Sequence, residues 1–148
     1  MAIEIEHKYL VADDSYKRMA TGSVDIVQGY LNRNPDRTVR IRTMGQKGFI
    51  TVKGRNHGNQ RLEFEYEIPG HDAAEILKLA EPGLVEKTRY FVPFDGLIWE
   101  VDEFHGSLNG VVVAEVELPS DSHVYDKPPF IGVEITGDPA YYNSNLKV

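Results

Sequence analysis

Six segments of the chain set charged residues two apart. Glu4, Glu6 and Lys8 open the series, and Arg40 with Arg42, then Glu63, Glu65 and Glu67, follow. Lys87 with Arg89, Glu100 with Asp102, and Glu115 with Glu117 complete it, and Lys53 stands two residues after Thr51. A spacing of two places side chains on one face of a β-strand. Apart from His7 and Thr88 the residues between are apolar, as in Ile3-x-Ile5, Val39-x-Ile41, Leu62-x-Phe64-x-Tyr66 and Trp99-x-Val101. Chemically, the lysines and arginines suit phosphate groups, arginine with a forked donor set. Carboxylates suit hard divalent cations, which share their shell with phosphate oxygens. Together the two sets point to metal-assisted transfer of a phosphoryl group to water.

A plainer reading stays open for any one strand. An antiparallel sheet packs one face and wets the other, and wet faces carry charge. Two features count against it for the whole set. Like charges side by side on one face repel, yet most of these strands are reduced to like-charge pairs. Basic and acidic pairs also lie on different strands. Closed with the charged faces inward, the sheet would enclose a basic and an acidic sector, and its apolar faces would need covering from outside.

The elements that must position these residues are mostly strands. Period-two alternation predicts strands at 2–10, 25–33, 37–44, 48–54, 61–68, 84–93, 96–104 and 110–118. Asn34-Pro35-Asp36, Gly45–Gly48 and Phe94-Asp95-Gly96 are turn sequences, and such short links force antiparallel neighbours. A helix is predicted at 72–81, with Asp72 as N-cap, an apolar stripe of Ala73, Ile76, Leu77 and Ala80, and a stop at Pro82-Gly83. A weaker one is predicted at 13–21. Pro139 opens a short turn after Asp138, and 130–136 adds a short strand. The fold class is mainly β, an eight-stranded antiparallel barrel or tunnel with a few flanking helices, in one domain over 1–148.

Composition narrows the function. The net charge of −7 argues against nucleic-acid binding, which needs a basic surface. There is no apolar run long enough for a membrane span and no secretory leader pattern, so a cytoplasmic location is expected. With no cysteine there is no disulfide or thiolate metal site. The five histidines lack metal-ligand spacing, no Walker A pattern is present, and Ser15, Ser23 and Ser107 lack a nucleophile-elbow context.

Glu4-x-Glu6-x-Lys8 followed by the ordered later pairs resembles the CYTH superfamily, the triphosphate tunnel metalloenzymes, over nearly the whole chain. The closing GVEITGDPAYYNSNL also resembles its short bacterial members, in which a Trp often precedes the Gly where this chain has Phe130-Ile131-Gly132. That change is expected to alter packing more than chemistry. The resemblance implies Mg²⁺ or Mn²⁺ on Glu4, Glu6 and Glu117, with Glu115 and Asp102 close behind. It implies a triphosphate held by Lys8, Arg40, Arg42, Lys53, Lys87 and Arg89. It implies a catalytic Lys–Tyr pair at Lys87 and Tyr30. Glu63, Glu65 and Glu100 are expected to support and orient the lumen cations.

The chain is short and leaves little protein to recognise a base or a thiazole, so inorganic tripolyphosphate is the expected substrate. A CYTH-type adenylyl cyclase, a nucleoside or thiamine triphosphatase, and a non-catalytic polyphosphate binder are the alternatives. The expected partner is a triphosphate-containing small molecule, with neither nucleic acid nor membrane, and the protein is expected to be a monomer or homodimer.

Overall fold

The computed structural model describes residues 3–141. Nine strands run antiparallel: β1 (Ile3–Val11), β2 (Gly22–Asn32), β3 (Arg37–Met44), β4 (Lys47–Gly54), β5 (Gln60–Ile68), β6 (Val85–Phe94), β7 (Leu97–Phe104), β8 (Val112–Glu117) and β9 (Ile131–Glu134). Their order is β5-β4-β3-β2-β6-β7-β8-β1-β9, and β1 also pairs with β5. The first eight therefore close into a barrel, as the alternation predicts. β9 is the short strand expected within 130–136, and it pairs with the far end of β1.

Turn chemistry fixes the hairpins. Asp95 and Gly96 both have positive φ (49° and 78°), which a two-residue type I′ turn requires between β6 and β7. Between β3 and β4 the turn narrows to Gly45-Gln46, because Met44 pairs with Lys47.

The barrel has its polar face inside. Its main apolar core lies outside, where Tyr9, Val92, Trp99, Val101, Ala114 and Val116 pack beneath Tyr16, Leu118 and Phe130. Tyr16 belongs to α1 (Tyr16–Met19), a single turn where the sequence predicts a helix over 13–21. Phe130 is fully buried with its ring 5.8 Å from that of Tyr16, a packing role as expected for this position.

The second helix, α2 (Gly70–Leu77), starts earlier and ends sooner than the stripe at 72–81 predicts. Pro69 is its N-cap, Asp72 lies in its first turn, and Lys78 is its C-cap. It docks on glycines. A Cβ at Gly48 would lie 2.5 Å from the Ala73 Cβ, and one at Gly29 would lie 3.2 Å from Leu77 Cδ2 at the end of the helix. Gly48→Ala is therefore expected to destabilise the fold by about 1–3 kcal/mol through overpacking, read as a lower Tm in a thermal melt.

One end of the lumen is closed by apolar side chains. Val85, Phe104, Val113 and Ile135 cluster there with Leu10 and Tyr141. Leu10 shares its strand parity with Glu4, Glu6 and Lys8, so the same face of β1 turns from charged to apolar as it reaches this end. Asp138 caps the following 3-10 turn, Pro139–Tyr141, by accepting the Ala140 N–H at 3.0 Å. The tail motif beyond Tyr141 lies outside the described residues.

Candidate functional site

A cavity of about 200 Å³ occupies the rest of the barrel. Six cations and seven carboxylates line it: Lys8, Arg40, Arg42, Lys53, Arg61 and Arg89 against Glu4, Glu6, Glu63, Glu65, Glu100, Glu115 and Glu117. The strand parity read from the sequence thus holds in every wall. Strand register then sorts the charges. Glu6 lies directly opposite Glu117, Lys8 opposite Glu115, and Glu100 opposite Glu115. β1, β7 and β8 make an acidic wall, and β3 presents the two arginines on the other side.

Each cation has a defined seat. Glu65 Oε1 accepts from Arg40 Nη2 (3.3 Å), Arg42 Nη2 (3.1 Å) and the Thr51 hydroxyl (2.8 Å). This one carboxylate oxygen holds both guanidinium groups while their Nε–H groups stay buried without a partner among the described residues. Lys53 lies 3.8 Å from Glu4 and 3.7 Å from Glu63. Lys8 Nζ lies 3.5 Å from Glu115 and donates to the Tyr141 carbonyl at 3.3 Å. Glu63, Glu65 and Glu100 each form an ion pair with a lumen cation.

Burial tunes these groups. It pulls Arg42 down to about 10, helped by Arg40 and Arg89. It also lowers Lys53, again with Arg40. Burial opposes the charge of Glu115, yet Lys8, Arg89 and Lys87 together outweigh it and the carboxyl falls to about 2.

Asp102 and Lys87 lie deeper, behind the lining. Arg89 grips Asp102 with two bonds, Nε–Oδ1 at 2.8 Å and Nη2–Oδ2 at 3.0 Å, and Lys87 Nζ lies 2.8 Å from Oδ2. Both Asp102 oxygens are thus taken by cations. The expectation of Asp102 as a metal ligand meets a carboxylate locked in a buried ion-pair triad, apart from Glu4, Glu6 and Glu117. Lys87 is fully buried, and burial lowers its ammonium to about 8 against the opposing pull of Asp102.

Tyr30 does line the cavity, beneath the Arg33 guanidinium 4.9 Å from its ring centroid. Burial raises its hydroxyl, so it stays a neutral donor. The strand register separates Tyr30 from Lys87. Lys87 pairs with Ile26, four residues before Tyr30 on β2, roughly 13 Å along the strand. Its ammonium leans further away, toward Asp102.

The carboxylates fit a hard divalent cation by an observation independent of the motif. Two like charges directly opposite each other on a sheet are destabilising, and Glu6 faces Glu117 in this way. Burial, then Glu115 and Glu4, pushes the Glu6 carboxyl well above its ordinary range. Burial and Glu4 also raise Glu117. Such oxygens take a cation readily, while substrate oxygens and water complete its shell. Among the described residues, no three acidic or histidine side chains cage a metal by themselves.

The sequence matches the CYTH domain over residues 2–142. The chain belongs to the CYTH family. It is 51% identical to an inorganic triphosphatase of Acetivibrio thermocellus over 99% of this chain and 94% of that protein. It is 35% identical to an inorganic triphosphatase of Nitrosomonas europaea over 97% and 95% of the two chains. A solved structure of an inorganic triphosphatase, 33% identical, superposes with a TM-score of 0.68, covering 99% of this chain and 95% of that one.

Within this CYTH barrel, several lining residues went unread in the sequence: Thr38, Asn56, Asn59, Arg61 and Thr136. Thr38 and Arg61 share the parity of Arg40 and Glu63, so the alternation itself contains them. Asn56, Asn59 and Thr136 come from outside the strands, and no local pattern marks them. His7 points outward, as the alternation predicts, and hydrogen-bonds the Tyr125 hydroxyl.

Proposed function

We propose that this CYTH protein hydrolyses a triphosphate, inorganic tripolyphosphate, with a divalent cation, Mg²⁺ or Mn²⁺. The observation that carries the substrate class is the lining itself: cations from β1, β3, β4 and β6 converge on one small cavity. The 51% identity to an inorganic triphosphatase over almost the full length supports the same activity. Among the described residues Tyr30 is the one aromatic in the lining, and its ring already bears Arg33. A nucleobase or thiazole would therefore find little to stack on. Among the described residues no helix is long and apolar enough to cross a membrane, and we place the protein in the cytoplasm.

Arg40, Arg42, Lys53, Lys8 and Arg89 bind the phosphate oxygens, and Glu65 holds the two β3 arginines ready to do so. Glu4, Glu6 and Glu117 would hold the cation, with Glu115 beside them. When bound, the cation would neutralise phosphate charge and make a nearby water more acidic. Tyr30 donates a hydrogen bond to a terminal oxygen, and the Asp102 triad fixes Arg89. Lys87, behind the lining, acts as a positioning group: its ammonium shares Asp102 with Arg89 and keeps that arginine placed.

Incubation with tripolyphosphate, pyrophosphate, ATP and thiamine triphosphate, each with Mg²⁺, Mn²⁺, Ca²⁺ or chelator, tests this reading. Orthophosphate and pyrophosphate are expected from tripolyphosphate, and none with chelator. No release from tripolyphosphate under any metal sinks the proposal, and cyclic AMP from ATP would replace it with cyclisation. The turnover rate should fall above about pH 8 as Lys87 loses its proton. A flat profile to pH 10 would remove Lys87 from that role.

A further inference from the structure

Among the described residues the apolar outer face of the barrel is covered in two sectors and bare in a third. α2 lies over Gly29 and Gly48. Tyr16 of α1, together with Leu118, Tyr125 and Phe130, lies over the sector built on Tyr9 and Trp99. Between these sectors, the outward side chains of β4, β5 and the start of β1 stand open. Val52 is 38% exposed, Phe64 43%, Ile3 44%, Leu62 51% and Tyr66 63%. Register joins them into one surface, with Ile3 opposite Leu62, Val52 opposite Phe64, and Ile50 opposite Tyr66. Their charged neighbours on the same strands, Glu4, Lys53, Arg61, Glu63 and Glu65, all point into the cavity. Other exposed apolar side chains, such as Leu79, Ile98, Val124 and Val133, belong to other parts of the chain.

Scaled by residue size, the five exposures come to roughly 500 Å², the upper range for the largest apolar patch on a monomer. A standard interface takes about 800 Å² from each partner, so these five side chains supply the apolar centre of one and not the whole of it.

The patch also lies across the shortest seam of the barrel. β1 and β5 share three residue pairs, Ile3–Leu62, Glu4–Arg61 and Ile5–Gln60. The other seven seams have five to eight pairs each.

We propose that this face is the interface of a homodimer, with a second copy packed across β4, β5 and the start of β1. An uncharged sheet face meets its own copy without opposing like charges. Two chains of net charge −7 repel elsewhere on their surfaces. The contact would clamp the β1–β5 seam, whose inner side carries Glu4, Arg61 and Glu63.

Light scattering on the full-length protein at tens of micromolar should give twice the 16.7 kDa of one chain. Phe64→Lys and Leu62→Lys should each give monomers with the wild-type circular dichroism spectrum and a Tm independent of protein concentration. A wild type that stays monomeric overturns the proposal and leaves the face to a different partner. Lysine variants that fold and remain dimers overturn it as well. Should the lysine variants fail to fold, single cysteines decide the matter, because the chain has none of its own. At least one of Leu62→Cys, Phe64→Cys and Tyr66→Cys should form a disulfide-linked dimer on mild oxidation, and Ile98→Cys should not. Cross-linking at Ile98 with none at the other three assigns the contact elsewhere.

Discussion

Glu6→Gln should cost on the order of 10²-fold or more in triphosphate turnover and yet raise the stability of the metal-free protein at neutral pH. The two effects have one cause. Glu6 sits half-buried in the acidic wall, opposite Glu117 and beside Glu4. On the function proposed above, that crowding would supply the affinity for a cation, and without a cation it is a strain. Glu6 has a folded pKa above its unfolded value, so the folded state binds more protons in the window between them. Stability from this group is therefore greatest below the unfolded value, near pH 4.5, and falls as pH rises toward the folded value. Glutamine keeps the shape and a donor toward Glu4 and removes the charge. Each pKa unit relieved returns about 1.4 kcal/mol, so the Tm without metal should rise by a few degrees above pH 5. Adding Mn²⁺ should stabilise the wild type through binding to the folded state and leave the variant almost unmoved. A variant that keeps wild-type turnover, or that melts lower than wild type in chelator, would remove Glu6 from the metal wall.

The barrel was legible because one physical rule runs through seven strands. A face that must be polar inside a closed sheet leaves a period-two signature, and Arg40-x-Arg42 or Glu115-x-Glu117 states it without help from neighbours. Helix limits were less legible. α2 begins at Gly70 because Pro69 and Gly70 bring the chain close over Gln46 and Gly48, a tertiary constraint that the Ala73–Ala80 stripe does not contain. The division of labour among the carboxylates was hidden for a similar reason. Glu100 and Asp102 look equivalent in sequence, two inward acids on β7. Asp102 lies across from Arg89 in the register and within reach of Lys87, while Glu100 remains at the cavity wall. Which acid is locked and which is open depends on strand pairing, and one strand read alone cannot tell them apart. The apolar end of the lumen likewise emerges only when Leu10, Val85, Phe104 and Val113 are brought together from four strands.

That difference between the two β7 acids yields the second large expected effect, Asp102→Asn. Asparagine preserves the shape of the side chain and removes the charge that two buried cations share. Arg89 and Lys87 would then face each other with no carboxylate between them. Breaking a buried pair in this way costs about 3–5 kcal/mol, a fall in Tm of roughly 10 °C for a chain of this size. The pH dependence identifies the cause. Burial opposes the charge of Asp102, but Arg89 and Lys87 together hold its carboxyl well below the usual range. Its stabilisation is thus complete above the unfolded value, near pH 4, and is lost as pH falls further, so the gap between wild type and variant should narrow in acid. Lys87 acts in the opposite direction. With its folded value near 8 and its unfolded value near 10.5, the wild type gains stability as pH rises between them. Without Asp102 the ammonium is harder to keep charged, and in the variant this gain should begin at lower pH. A metal titration separates the two roles open to this residue. If Asp102 positions Arg89 and Lys87, Mn²⁺ should still raise the Tm of the variant by the wild-type increment while kcat falls. If that increment disappears, Asp102 is a metal ligand after all, and the triad opens when the cation binds.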